Sequence, residues 1–179
     1  MKKIEKKIKD YLIKLYPLNK LYFFLKILKK SKKRYYYADN GEDIIIQGLF
    51  NHKKDGFYID VGCYHPIRAS LTHLLYKKGW KGVNIDISKD TINLFNIARP
   101  NDKNINIGIA EKEGEDFYYQ SSHINQANSF KFYDNVKKVK VQITTLDKII
   151  KNLGIKKIDF LNIDVEYRDY KALQGLNLN

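Results

Sequence analysis

The sequence predicts an α/β domain, a three-layer sandwich on a mostly parallel sheet, carried behind a basic helical arm. Three observations predict it. Short apolar runs alternate with helix-period segments from Phe57 to Ile109. Acidic residues stand at the carboxyl ends of those runs, and 179 residues at 44% hydrophobic are enough for one core and too few for two comfortable ones. The boundary falls near residue 38, giving an arm over 1–38 and a domain over 39–179.

The arm holds most of the net charge of +13. Through Arg34 there are 13 Lys and Arg against Glu5 and Asp10, whereas the remaining 145 residues carry 20 basic and 18 acidic side chains. A body at +2 argues against an extended nucleic-acid surface, so no nucleic-acid partner is expected. Ile4, Ile8, Tyr11, Leu12 and Leu15, then Leu18, Leu21, Leu25 and Leu28, recur at helical spacing on either side of Pro17, with Lys on the other faces. Two readings stay open for residues 1–34: peripheral contact with an anionic membrane face, near Tyr22, Phe23 and Phe24, or an accessory helix packed on the domain. No apolar run approaches the roughly 20 residues of a membrane span. The single Cys63 and the lack of a recognisable leader predict a reducing, cytoplasmic setting, peripheral on the inner membrane face if the arm binds lipid.

Asp39 to Phe50 predicts a turn opening a short helix, with Asp39 or Asn40 as cap. Phe57–Val61 is the first strand, Ser70–Lys78 a helix with Leu71, Leu74 and Leu75 inward, and Gly82–Ile87 the second strand. Thr91–Ala98 is the next helix and Asn104–Ile109 the third strand, completing a βαβαβ run that calls for a parallel sheet. Beyond Asp116-Phe-Tyr-Tyr, the stretch SSHINQANSFKFYDN has no period and reads as a loop or lid. Val139–Ile143 is a strand, Leu146–Asn152 a helix, Ile158–Ile163 a buried strand, and Arg168–Leu176 a helix with Tyr170, Leu173 and Leu176 inward.

In an open parallel sheet, ligands sit beyond the carboxyl ends of the strands, where strand order reverses. Asp60, Asp86, Asp164 and Glu166 occupy such ends. Gly62 permits a tight turn, and Asp86, 24 residues beyond it, is placed to accept from a ribose diol. The run G-C-Y-H-P-I-R lacks the three glycines that close around a pyrophosphate, and no G-x-x-x-x-G-K-S/T occurs. A nucleoside without a pyrophosphate remains, S-adenosylmethionine being the natural candidate.

The motifs FYIDVGCYHPIRASLTHLLYKKGWKGVNIDIS, NIGIAEKEG, TTLDKII and IDFLNIDVE, in this order between Asp39 and Leu176, resemble the FkbM-type S-adenosylmethionine-dependent methyltransferases. The resemblance implies a class I, Rossmann-like methyltransferase acting on the hydroxyl of a sugar or other metabolite in glycan biosynthesis, with a small-molecule or glycan acceptor as partner. By position it carries cofactor contacts to Asp60, Gly62, Cys63, Tyr64, Asp86, Ile87 and Ser88. It carries catalytic or acceptor-orienting roles to Asp164 and Glu166, and His65 is the further candidate for the acceptor's proton. His65-Pro66 resembles a branch of the family with an H-P loop in place of a glycine-rich one. Two departures stand out: Tyr167 replaces the usual glycine after D-V-E, which predicts a narrowed acceptor side or an unusual backbone angle, and the family domain continues with strands beyond Leu176. The second departure predicts a C-terminally incomplete domain or a sheet side covered by a homodimer.

Each candidate has a plainer alternative. Asp60 also suits a buried carboxylate satisfied by turn amides, Asp164 and Glu166 an ion pair with Arg168 or Lys157, and Cys63 a small packing residue. His73 reads as a surface or supporting residue, and Tyr118, Tyr119, His123 and Phe130 as loop aromatics. No metal site is predicted, since zinc has no Cys/His cluster here. The rival functions are a nucleic-acid methyltransferase and a non-catalytic scaffold docked through the arm.

Overall fold

The computed structural model of the chain describes residues 20–25, 35–120 and 136–177. Strands β1 (Phe57–Val61), β2 (Lys81–Asp86), β3 (Lys103–Asn106) and β7 (Phe160–Ile163) form one sheet in the order β3-β2-β1-β7, and all three pairings are parallel. Between β3 and β7 the chain leaves to build a second sheet, β4 (Gly108–Ile109), β6 (Lys137–Thr144) and β5 (Gly114–Gln120), before returning to the far side of β1. Strand order therefore reverses between β1 and β7.

Alternation along β1 divides the core. Ile59 and Val61 point to one face, where Val83 and Ile85 of β2 meet Leu146 and Ile149 of α4 (Leu146–Asn152) and Ala172 of α5 (Asp169–Gln174). Tyr58 points to the other face and packs with Leu75 and Trp80, under α1 (Glu42–Leu49) and α2 (His73–Lys77). On this side α3 (Lys89–Ala98) sets Ile92 and Phe95 against Cys63. Helices on both faces make the three-layer, Rossmann-like sandwich that the sequence predicts.

Several elements differ from expectation. Asp39 and Asn40 do not cap α1. Gly41 does, at φ 84° with no side-chain bond, because the Asn40 amide groups are turned to the Glu42 carboxylate. The third strand divides at Ile107, since Gly108–Ile109 pairs with β6. Asp116-Phe-Tyr-Tyr lies in β5, antiparallel to β6, and Tyr118 is core, packed with Ala110, Val141 and Ile143. In α5 the inward residue is Ala172, with Leu176 against the core, while Tyr170 and Leu173 are exposed.

Of the arm, residues 20–25 are helical. Phe23 is 2% exposed and packs on Leu94, with Ile67 and Ile97 beside it. Leu21 and Leu25, expected in the apolar stripe, are exposed. The remaining stripe positions, Pro17, and the 121–135 stretch with His123 and Phe130 lie outside the described residues. Among the described residues no helix is long and apolar enough to cross a membrane.

Candidate functional site

The ends of β1, β2 and β7 open onto one cavity of about 340 Å³, within the usual range for small-molecule sites of roughly 300–1,000 Å³. Asp60 to Tyr64 line it from β1, Ile85 to Ile87 from β2, and Asn162 with Asp164 to Glu166 from β7. Ile107 and Ile109 add apolar wall. The position matches the reversal in strand order, where neighbouring connections depart to opposite faces and leave a crevice.

Gly62 makes the crevice possible. Its φ is 80°, and a Cβ there would lie 1.9 Å from the Asp164 carbonyl oxygen, far inside contact distance. The turn is then held by side chains where a glycine-rich loop would rely on bare backbone. His65 Nδ1 accepts from the amides of Ile67 (3.1 Å) and Arg68 (3.0 Å), and both Tyr64 and Ala69 take positive φ, 50° and 49°. His65 is buried and does not line the cavity. The ring anchors the turn, its Nδ1 being occupied by the amides of the loop it shapes.

Asp60 is 2% exposed. Its Oδ2 accepts from Thr72 Oγ1 at 2.7 Å and its Oδ1 from Asn162 Nδ2 at 2.9 Å. The partners are side chains, so the alternative of a carboxylate satisfied by turn amides does not describe it. Register explains the pair: Asn162, Asp60, Asn84 and Asn104 are consecutive partners across β7, β1, β2 and β3. They form a polar row on the sheet face that also carries Tyr58. Sequence patterning does not reveal this row, nor Thr72 and Asn162, which hold Asp60, nor Arg99 behind Thr72.

Asp86 accepts from the Tyr64 amide on Oδ2 (3.1 Å) and from the Ser88 amide on Oδ1 (2.7 Å). An ionised carboxylate offers about four lone-pair sites, so acceptor capacity remains toward the cavity. Burial, reinforced by the Asp60 charge, pushes its pKa up to about 6 despite these two amides. Ile87 lines the cavity, but Ser88 does not. Ser88 is buried and caps α3, its Oγ accepting from the Thr91 amide. Cys63 packs against Ile92 and Phe95 while bordering the cavity, and burial raises its thiol pKa well above the ordinary value.

Asp164 and Glu166 both line the cavity, yet they do not share one face of an extended segment. β7 ends at Ile163, and Glu166 and Tyr167 turn with φ of 32° and 66°. Lost hydration and then the Asp169 and Asp60 charges raise the pKa of Asp164. Of the rival partners, Arg168 meets Asp116 on β5 and Lys157 meets Asp159. Tyr167 takes the glycine-like backbone angle, is 70% exposed and is absent from the cavity wall. His73 is part-buried, stacked edge-on to Tyr37, and burial pushes its pKa down to about 3.

No curated protein and no solved structure matches the chain. The family model described as "Methyltransferase FkbM domain" matches residues 60–179, beginning at Asp60 itself and spanning 120 of the 179 residues. With the parallel sheet, the reversal at β1 and β7 and acids at three strand ends, the match identifies the chain as a member of the FkbM methyltransferase domain family.

Proposed function

We propose that the chain is an S-adenosylmethionine-dependent O-methyltransferase acting on a sugar or another hydroxyl-bearing metabolite in glycan biosynthesis. The observation that carries this reading is the convergence of Asp60, Asp86, Asp164 and Glu166 on one cavity whose floor is the Gly62 turn. The residues fit an adenosyl cofactor. Asp86 keeps acceptor sites for a ribose diol, Ile87 and Ile107 offer apolar wall for a base, and Asp60 to Tyr64 provide backbone and carboxylate for an amino-acid moiety. S-adenosylmethionine supplies an activated methyl group when bound.

The chain supplies position and electrostatics. Carboxylates at Asp164 and Glu166 orient the acceptor hydroxyl and receive the proton it loses, a role suited to a carboxyl whose pKa is raised, as that of Asp164 is. A body near charge balance favours a metabolite over a nucleic acid as acceptor. A cytoplasmic setting goes with a buried, free Cys63. Peripheral membrane contact through residues 1–34 is a second proposal, supported by the arm's charge and by exposed Leu21, Phe24 and Leu25. Co-sedimentation with anionic vesicles tests it, and equal recovery after deletion of residues 1–34 would sink it.

The cofactor reading is tested by calorimetric titration of S-adenosylmethionine and S-adenosylhomocysteine into the chain and into Asp60→Asn and Asp86→Asn. Binding that is lost or strongly weakened in both folded variants is the expected result. A folded parent chain that binds neither compound would favour the scaffold alternative. With binding secured, methyl transfer to nucleic acid and none to hydroxyl-bearing sugars would overturn the acceptor assignment.

A further inference from the structure

Arg99, at the C-terminal end of α3, is 1% exposed and lies outside the cavity wall. A buried guanidinium is costly unless its donors and charge are satisfied. Here they are satisfied by the machinery around Asp60. Nη1 donates to Thr72 Oγ1 at 2.7 Å and to the Tyr58 hydroxyl at 3.4 Å. Nη2 donates to Ser70 Oγ at 2.8 Å, and Nε to the Pro66 carbonyl at 3.0 Å. The Phe95 and Tyr76 rings lie against the guanidinium, with centroids 5.1 and 5.4 Å from its carbon.

The direction of these bonds is forced. Arginine has donors only, so both hydroxyls must accept from it and pass their single protons onward. Thr72 donates to Asp60 Oδ2 at 2.7 Å, and Tyr58 donates to Asp102 Oδ2. Arg99 thus stands one hydroxyl away from each of two carboxylates, and the proton of Thr72 has a fixed destination. With Asn162 on Oδ1, Asp60 is held at both oxygens. The same guanidinium grips Pro66 and Ser70, closing the turn that follows Gly62.

We propose that Arg99 and Thr72 are positioning residues for the cofactor site: through the Thr72 hydroxyl, Arg99 fixes the Asp60 carboxylate and the Pro66–Ser70 turn in the geometry that receives an adenosyl ligand. This rests on the cofactor reading above. Thr72→Val keeps the volume and removes the hydroxyl, whereas Thr72→Ser keeps the hydroxyl and removes the methyl. A packing role and a relay role therefore predict opposite rankings.

The test is the affinity of the full chain for S-adenosylhomocysteine by calorimetry, with a thermal melt for each variant. Since the lost hydrogen bond ends on a carboxylate and such charge-assisted bonds are the stronger kind, Thr72→Val should weaken binding by roughly tenfold or more, and Thr72→Ser by no more than about threefold. Arg99→Lys, which keeps the buried charge and loses the fork, should weaken binding as Thr72→Val does; it decides the matter should the valine variant fail to melt cooperatively. Folded Val and Lys variants that bind as the parent does, or a Ser variant weaker than Val, would overturn the relay. A folded parent that binds nothing removes the cofactor reading, and the relay with it, an outcome distinct from both.

Discussion

Gly62 and Asp164 pass so closely that a Cβ on Gly62 would fall 1.9 Å from the Asp164 carbonyl oxygen. The contact closes the base of the cavity between β1 and β7, and it ties the Gly62 turn to the carboxylate-bearing segment after β7. Gly62→Ala must both hold φ near 80° and displace that carbonyl. Urea denaturation should show a loss of about 3 kcal/mol or more, together with loss of S-adenosylhomocysteine binding. A variant within 1 kcal/mol of the parent would mean that the two segments separate at little cost, as flagged by the same scale of overpacking penalties, about 1–3 kcal/mol.

Asp86 stands at about 6 against 3.8 for an unperturbed aspartate. Because the folded value is raised, its contribution to stability is fully present below pH 3.8 and is lost as pH rises through about 6. The stability difference between parent and Asp86→Asn should therefore fall between about pH 4 and 7. Ligand binding moves the other way. If the ionised carboxylate accepts from a ribose diol, parent affinity for S-adenosylhomocysteine rises through this window and the residual affinity of Asp86→Asn stays flat.

Ser88 separates capping from binding. Its Oγ accepts from the Thr91 amide at the start of α3, so Ser88→Ala should cost about 1 kcal/mol in urea unfolding. The Ser88 amide that meets Asp86 is untouched, and ligand affinity should stay within about twofold, well below the tenfold that 1.4 kcal/mol represents. A large loss of affinity with unchanged stability would return Ser88 to the ligand.

Tyr167 bears a glycine-like φ of 66° on an exposed side chain. Tyr167→Gly relieves the left-handed strain while adding unfolded-state entropy, and the two effects leave a gain of roughly 0.5–1 kcal/mol. A shifted urea midpoint with an unchanged slope measures it. Destabilisation would show that the tyrosine ring contributes more than the strain removes.

His65 was legible as a polar residue in the right turn but not as an anchor, because its partners are the amides of Ile67 and Arg68 in a loop whose path no periodicity describes. The same limit hid Ser88, which has the composition of a ligand contact and the geometry of a helix cap. β5 is not legible in the sequence because its partner β6 lies beyond a polar stretch, and its pattern makes sense only against that partner.

Alternation, helical period and turn residues are local properties of the chain, so the βαβαβ order, the parallel sheet and the acids at the ends of three strands are legible in the sequence. What those acids meet depends on contacts across the fold. Asp60 takes its two partners from Thr72, 12 residues away, and Asn162, 102 residues away, and the Arg99 that holds Thr72 comes from the end of a helix two elements later. Such contacts are fixed by strand register and helix packing, which bring distant hydrogen-bonding groups within 3 Å only once the sheet has formed.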